Sequence, residues 1–400
     1  MTTASFRDTS RQDSLLDLSS LVNLSILIYG QGQMVWEVTR NLTLIGVKSI
    51  TIVPPISSSP YQFNHHAFDA IQKLNPECKI TLYSQPISLQ DLTQNLIPQH
   101  KFCILINIFN QKDIITINEA CRNHNPEPIG FLSGCNLGFY SNIFVDFGPQ
   151  FIVKDPYKSQ RTFPIMDLNF LSNAEIQITT EDSSGLIRSG KSIKLKGITL
   201  KIAKTEFNEK LNLTLITLEA PSSDFSIDKK SSTSFELLIE PQIKKFESFR
   251  NSLSNLQLLQ KGMEGPQKLP SKTLHHLFLT TLNFYETFQR LPNSSDHPQF
   301  LALYQEVSLQ ADLNKEILTL FLENLSYESP PIASLFGALL ANEALKISGT
   351  YIPLQQWLHF EEFFCAQNSK LQSLDPPHKI SQPFISSSYI LSSNPLKNFK

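Results

Sequence analysis

The stretch LSILIYGQGQMVWEVTRNLTLIGVKSITIV, residues 24–53, decides the fold. Its first part, 24–29, is an apolar run of strand length that stops at Gly30-Gln31-Gly32, which is typical of a buried strand followed by a tight turn. Apolar residues then recur at helical spacing until Gly46 closes the helix, and residues 49–53 form a second apolar run. These helical positions are Met34, Val38, Leu42 and Ile45. The stretch therefore predicts a βαβ unit.

The same alternation continues along the first third of the chain. It predicts helices at 67–74, 89–97 and 114–122 and strands at 79–83, 102–108 and 129–132. Strands that alternate with helices of this length form a parallel sheet with helices on both faces. We expect a doubly wound, mostly parallel, Rossmann-like α/β fold over roughly the first 150 residues.

Around Asp167 the pattern changes to short segments of period two, separated by Gly, Asn, Asp and Ser, which predict an inserted small β-barrel domain. From Ile243 the period becomes helical again and predicts a helical bundle. The predicted strands are 175–179, 192–195, 199–202, 213–218 and 234–239, and the bundle helices are 246–259, 273–291, 300–309 and 313–325. A last helix at 332–347 and a strand at 356–360 close the pattern.

These patterns divide the chain into six segments. The predicted segments are an N-terminal arm (1–20), the first part of the α/β domain (21–165), the β domain (166–242), a four-helix bundle (243–328), the closing part of the α/β domain (329–362) and a mobile tail (363–400).

Composition limits the class of protein. An apolar fraction of 41% with 28 Phe argues against disorder, and a net charge of −2 gives no general attraction to nucleic acid or to an anionic membrane. The five cysteines stand singly, which favours a reducing compartment and indicates neither a zinc site nor a disulfide framework. We expect no bound metal, no secretion signal, no membrane span, and a cytoplasmic or nuclear location.

The glycine turn is incomplete as a nucleotide-binding fingerprint. Such a fingerprint needs three small residues after the first strand and an acidic residue at the end of the second strand. Gly30 and Gly32 occupy the first two positions, but Val35 occupies the third, and Pro54 stands where the acid is expected. Bulky Trp36 follows Val35. We therefore predict that the chain binds no nucleotide and that the two glycines form a tight turn.

Three further groups of residues have a structural and a functional interpretation. Cys103 and Cys135 fall in or beside predicted strands and are expected to pack in the core, and His275 in the bundle is expected to lie in the core or at its rim. A basic cluster in the β domain either steers an acidic partner or RNA, or forms a solvated face. Its members are Arg188, Lys191, Lys194, Lys196, Lys201 and Lys204.

Four stretches resemble the ubiquitin-activating enzyme family, which has a ThiF-type adenylating fold. Residues 24–53 resemble the opening of the family, and GFYSNIFVDFGPQFIVKD (138–155) resembles the segment that leads into its first catalytic-cysteine half-domain. GLIRSGKSIKLKG (185–197) resembles a motif of that half-domain. FGALLANEALKISGTYIPLQQWLHF (336–360) is similar to the helix and strand that close the inactive adenylation domain, with an ending like that of the ubiquitin branch.

The resemblance covers about residues 8–362 and implies the N-terminal, inactive half of such an enzyme. In the family this half pairs with an active half that binds ATP and Mg²⁺, adenylates the C-terminus of ubiquitin and passes it to a cysteine. It implies that this chain binds no cofactor itself and that its partners are an active adenylation half and ubiquitin or a ubiquitin-like protein. Neither nucleic acid nor membrane is an expected partner.

The resemblance also implies one residue that acts outside this chain. Ser10-Arg11-Gln12 stands at the position of a family motif whose arginine reaches into the ATP site of the partner half. A guanidinium there can offset phosphate charge during adenylation. The alternative for Arg11 is a solvated side chain in a flexible arm.

We expect the later parts of the family to be absent from this chain, which predicts a non-catalytic subunit of a heterodimer. A second hypothesis is a diverged pseudoenzyme that serves as a protein-binding scaffold. A third is a piece of a longer single-chain enzyme.

Overall fold

The computed structural model describes residues 21–55, 65–156, 162–172, 175–181, 187–208, 213–219, 234–260, 269–308 and 314–363. Its contacts divide the chain into two compact units. The larger unit contains the residues up to 151, residues 243–348 and those from 352 onward. The smaller unit contains residues 152–242 and 349–351. The bundle helices therefore belong to the same unit as the α/β domain.

The larger unit contains one seven-stranded sheet and eight α-helices within the residues just given. The strands are Ser25–Gly30 (β1), Ser49–Val53 (β2), Lys79–Leu82 (β3), Phe102–Ile106 (β4), Gly130–Leu137 (β5), Tyr140–Asp146 (β6) and Trp357–Glu361 (β16). The helices are Gln33–Ile45 (α1), His65–Leu74 (α2), Gln111–Arg122 (α3), Phe249–Ser252 (α4), Ser271–Phe288 (α5), His297–Ser308 (α6), Lys315–Asn324 (α7) and Pro330–Leu345 (α8). Shorter helical turns cover Leu89–Asp91, Leu92–Leu96, Ile97–Gln99, Leu256–Leu258, Ser294–Asp296 and Lys346–Ser348.

The sheet has the order β16-β6-β5-β4-β1-β2-β3. The five strands from β5 to β3 are parallel, whereas β6 and β16 run antiparallel to their neighbours. Successive residues of β1 alternate between two apolar cores, with Ile26 and Ile28 on the face of α1 and α8 and Leu27 and Tyr29 on the face of α3 and α5. The predicted doubly wound, mostly parallel α/β fold is confirmed.

The predicted continuous helix at 246–259 is wrong: the segment contains only the turn of α4 and the short turn Leu256–Leu258. Part of its backbone bonds to other elements: the Glu247 N–H donates to Gln356 Oε1, and the Phe249 N–H donates to Asn118 Oδ1. The Gln260 N–H donates to the carbonyl of Trp357. Tertiary contacts therefore replace the intrahelical hydrogen bonds that the apolar spacing predicts.

The smaller unit contains one antiparallel sheet of order β8-β14-β11-β12-β13-β10-β9. Its strands are Thr162–Pro164 (β8), Asp167–Ser172 (β9), Glu175–Thr180 (β10), Ser192–Leu195 (β11), Ile198–Asn208 (β12), Leu213–Glu219 (β13) and Ser234–Leu238 (β14). Alternate residues are buried, as in Ile176, Ile178 and Thr180, so one face covers an apolar core. Closure into a barrel stays a prediction. Two short strands, Phe151–Val153 (β7) and Gln242–Lys244 (β15), complete the chain order.

None of the helices in the part of the chain that the structure describes is both long enough and apolar enough to span a bilayer.

Candidate functional site at the turn after the first strand

The glycine turn lies where the strand order of the parallel sheet reverses. β1 and β4 are neighbours there, and open α/β sheets bind ligands at the carboxyl ends of two such strands. β1 ends at Gly30, where a Cβ atom would lie 2.3 Å from the carbonyl oxygen of Ile106 at the end of β4. Gly32 has a φ of 97°, which favours glycine. Both glycines are therefore required by the local backbone.

A carboxylate from a distant segment occupies the N-terminus of α1. The N–H of Gln33 donates to Glu328 Oε2 over 2.5 Å, and the N–H of Met34 donates to Glu328 Oε1 over 2.9 Å. The first amides of a helix have no partner within the helix and carry partial positive charge. In nucleotide-binding α/β folds these amides bind phosphate. Here the side chain of Glu328 takes that position.

Asparagines fix the segment that carries Glu328. Asn107, directly after β4, donates to the carbonyl of Gln31 over 3.0 Å and lies 3.5 Å from Glu328 Oε1. Its own Oδ1 accepts from the N–H of Asn136, and the side chain of Asn136 donates to the carbonyl of Ser329 over 2.9 Å. Asn107, after β4, therefore contacts the side chain of Glu328, and Asn136, in β5, binds the backbone of the next residue, Ser329.

Gly32 provides the space for this carboxylate. A Cβ atom at Gly32 would lie 2.6 Å from Glu328 Oε2, which is too close for two unbonded atoms. The glycine that resembles part of a nucleotide fingerprint thus accommodates an internal side chain. The absence of a side chain at this position leaves room for the contacts of Glu328 with the amides of Gln33 and Met34.

Burial raises the pKa of Glu328 to about 7. The amides of Gln33 and Met34 and the side chain of Asn107 oppose this shift, whereas the nearby carboxylate of Glu37 adds to it. Glu37 is itself paired with Arg40 at 2.8 Å. Glu328 therefore changes its protonation state near neutral pH.

We predict that Glu328→Gln removes a pH dependence of stability. A carboxyl group whose pKa rises from 4.5 to about 7 on folding binds more protons in the folded state, so its contribution to stability falls as pH rises through this window. The free energy of unfolding of the wild type, measured relative to the variant by urea denaturation, should fall by about 3 kcal/mol between pH 4.5 and 7.5. A difference that is constant with pH would contradict this.

The structure places the residues predicted from sequence in different surroundings. Val35 and Trp36 are buried in the apolar core on the α1 face, and Pro54 follows β2 and is buried. Arg11 lies outside the described residues. Sequence analysis missed Glu328, which is 295 positions from Gln33, and Asn107. A single acidic residue before two prolines gave no signal of a buried role.

The cysteine and histidine predictions can also be located. Cys103 and Cys135 are buried and free, which confirms that they pack in the core. Cys365, the last of the five cysteines, lies outside the described residues. Within the described ranges, no cluster of three His, Cys, Asp or Glu side chains could hold a metal ion.

His275 is fully buried, which confirms the expected core position, and it belongs to a hydrogen-bonded chain of polar side chains. His275 Nε2 contacts the carbonyl of Leu253 at 2.9 Å, and its Nδ1 lies 3.0 Å from His359 Nε2. His359 Nδ1 lies 2.9 Å from the hydroxyl of Tyr140, which accepts from Asn142.

These contacts allow one arrangement of protons for neutral rings. A carbonyl only accepts, so His275 Nε2 carries a proton and its Nδ1 accepts from His359 Nε2. His359 Nδ1 then accepts from the Tyr140 hydroxyl. Burial lowers the pKa of His275 to about 4, lowers that of His359, and raises that of Tyr140, which keeps all three groups neutral at pH 7.

The basic cluster of the smaller unit is interleaved with acidic residues. Lys194 stands opposite Glu236 on β14, Lys201 stands opposite Glu219 on β13, and Lys204 forms an ion pair with Glu206. Cross-strand pairs of opposite charge stabilise a sheet and reduce the net field of its face. This arrangement favours the solvated-face interpretation over an RNA-binding surface.

Comparison with known proteins finds similar sequences among ubiquitin-activating and ubiquitin-like modifier-activating enzymes. The chain is 24% identical over 388 residues to ubiquitin-like modifier-activating enzyme 6 of Mus musculus, a match that covers 88% of this chain and 36% of that protein. It is 22% identical to ubiquitin-like modifier-activating enzyme 7 of Mus musculus over 94% of this chain and 40% of the relative. It is also 22% identical to ubiquitin-activating enzyme E1 2 of Triticum aestivum, over 86% of this chain and 35% of the relative.

No family model matches the chain. The chain spans between about a third and two fifths of the length of the curated relatives it matches. The alignments nonetheless cover most of this chain, and the doubly wound α/β sheet agrees with the adenylating fold that the sequence motifs imply. Over most of its length, the chain is therefore similar in sequence to ubiquitin-activating enzymes.

Proposed function

We propose that the chain is the inactive adenylation half of a ubiquitin-activating enzyme. In this role it supports a partner active half, which adenylates ubiquitin or a ubiquitin-like protein with ATP and forms the thioester. The observation that carries the proposal is the contact of Glu328 with the first amides of α1, in a chain whose relatives are activating enzymes. A carboxylate at that point opposes phosphate binding by this half.

The surface of α8 supports association with a partner. This helix is mostly apolar, with few polar residues, and helices of this kind are usually largely buried. Leu335 on α8 is nevertheless 44% exposed, and Leu44 on α1 is 40% exposed. The two helices pack closely, since a Cβ atom at Gly337 would lie 2.5 Å from the Cβ of Glu37. We propose that the active half covers this face.

The remaining parts of the proposal follow from the family. ATP and Mg²⁺ bind to the active half and not to this chain. The partners are that half and ubiquitin or a ubiquitin-like protein, and the complex works in the cytoplasm or the nucleus.

An ATP–pyrophosphate exchange assay tests this role. We expect no exchange with the purified chain and ubiquitin, because the adenylating site belongs to the other half. Adding a separately expressed active half should produce exchange and a ubiquitin thioester, and both should be lost when either component is omitted. Exchange by the chain alone would overturn the proposal.

The alternative is a diverged pseudoenzyme that acts as a scaffold. Glu328 is also consistent with that function, because its side chain occupies the turn.

Arg11→Ala separates the two functions, with Arg7→Ala in the same arm as the matched control. If the chain supports adenylation, Arg11→Ala should slow exchange in the reconstituted complex at least about tenfold, and Arg7→Ala should not. Equal rates for both variants and the wild type, together with purification that recovers no adenylating partner, would favour the scaffold.

A further inference from the structure

We propose that Glu328 is the residue that closes the turn between β1 and α1 to external phosphate, by serving as its permanent internal ligand. The sequence pattern predicted the closure from bulky Val35 and Trp36 and from Pro54 in place of an acid. The structure adds the side chain of Glu328, which occupies the first amides of α1. This inference shares its observation with the proposed function and deepens it, but phosphate binding tests the turn by itself, whereas the exchange assay tests the role of the whole chain.

Each carboxylate oxygen of Glu328 has its own donor. Oε2 accepts from Gln33 and Oε1 from Met34, and the Nδ2 of Asn107 lies 3.5 Å from Oε1. Amide groups converging on two oxygens of one anion are the arrangement by which a helix N-terminus holds phosphate. The donors around both oxygens of Glu328, and not the helix end alone, show that this turn binds an anionic group with two oxygens.

The bulk of Val35 and Trp36 can be separated experimentally from occupancy by Glu328. Val35 and Trp36 are buried in the apolar cluster that contains Met34, Val38 and residues of α8. The group that contacts the amides of Gln33 and Met34 is the carboxylate of Glu328. Removing that carboxylate while Val35 and Trp36 stay in place should therefore free the donors.

The internal ligand is held from several sides, which explains how it excludes an external competitor. Asn136 fixes the carbonyl of Ser329, and the N–H of Gly138 donates to the carbonyl of Tyr327 over 2.7 Å. Glu328 thus stands between two fixed residues and loses little conformational freedom when it binds the amides. An external anion has to lose its translational freedom as well.

The test is binding of inorganic phosphate to Glu328→Ala, measured by thermal unfolding over a phosphate titration at constant ionic strength. Glu343→Ala is the matched control, because Glu343 is also buried and accepts from a backbone N–H, that of Leu354, but does not contact the first amides of a helix. We expect saturable stabilisation of Glu328→Ala by phosphate, with at least about tenfold tighter binding than for the wild type or the control.

Equal responses of all three proteins to phosphate would overturn the proposal, as would tight phosphate binding by the wild type. Glu328→Gln provides a second measurement that does not depend on the folding of the alanine variant. We expect faster hydrogen exchange in a peptide covering residues 30–38, because a neutral amide has one acceptor oxygen for the two N–H groups. Unchanged exchange in this peptide would also overturn the proposal.

Discussion

His359→Ala is expected to lower the free energy of unfolding by about 4 kcal/mol. The substitution removes a buried ring that lies parallel to Trp357, with ring centroids 5.6 Å apart. It also removes the acceptor of the Tyr140 hydroxyl and the donor to His275 Nδ1. The loss therefore combines a cavity with two buried polar groups that no longer have their partners.

Chemical denaturation at pH 7.5 measures this effect. His124→Ala is the matched control, because His124 contacts only a nearby carbonyl, that of Glu127, near the surface, and its loss should cost less than about 1 kcal/mol. Similar losses in the two variants would show that the buried chain adds no stability of its own.

The effect of His359→Ala should shrink in acid. Burial lowers the pKa of His359 well below its ordinary value of 6.5, so this residue contributes stability that is fully present above pH 6.5 and declines as pH falls below it. The variant lacks His359 and keeps His275, so this contribution is lost from the wild type alone. A gap between wild type and variant that stays constant from pH 7.5 to pH 4 would contradict the proton arrangement.

Asp146→Asn is expected to cost about 3 kcal/mol. Asp146 is fully buried and accepts from Arg122 at 2.6 Å, from Asn118 at 2.7 Å and from the N–H of Gly148 at 2.8 Å. Asparagine keeps the shape but leaves the largely buried guanidinium of Arg122 without its counter-charge. This interaction ties α3 to the end of β6, within the motif of residues 138–155.

Glu119→Gln provides the matched control for Asp146→Asn. Glu119 lies on the same helix as Arg122 and pairs with Arg250 at 2.9 Å, but both side chains are largely exposed. Exposed pairs contribute less than about 1 kcal/mol because water and salt screen them. Denaturation of the two variants side by side should separate them clearly, and equal losses would show that burial does not strengthen the Asp146 interaction.

Local patterns were sufficient for the sheet and for most helices. The apolar run before Gly30 and the helical spacing from Met34 to Ile45 correspond to β1 and α1 with shifts of about one residue. Such elements bury one face or both faces, and the spacing of apolar residues that are close in sequence shows which faces are buried. β6 was recognised as a family motif and not as a strand, because the buried polar residues Ser141, Asn142 and Asp146 interrupt its apolar run.

Partners distant in sequence decided the rest. The residues from Phe246 to Leu259 have helical spacing, yet Asn118 and Gln356 form hydrogen bonds with part of their backbone, and only two short helical turns form. The role of Glu328 likewise could not be predicted from the sequence, because it depends on the fold that places this side chain beside the amides of Gln33 and Met34.

The sequence alone therefore determined the doubly wound α/β fold, the incomplete glycine turn and the resemblance to activating enzymes. Each of these rests on the spacing of residues along the chain or on short motifs. Only the tertiary structure identified the group that fills the turn and the proton order of the buried histidines. Both depend on hydrogen bonds between segments far apart in the chain, and spacing along the sequence contains no information about such contacts.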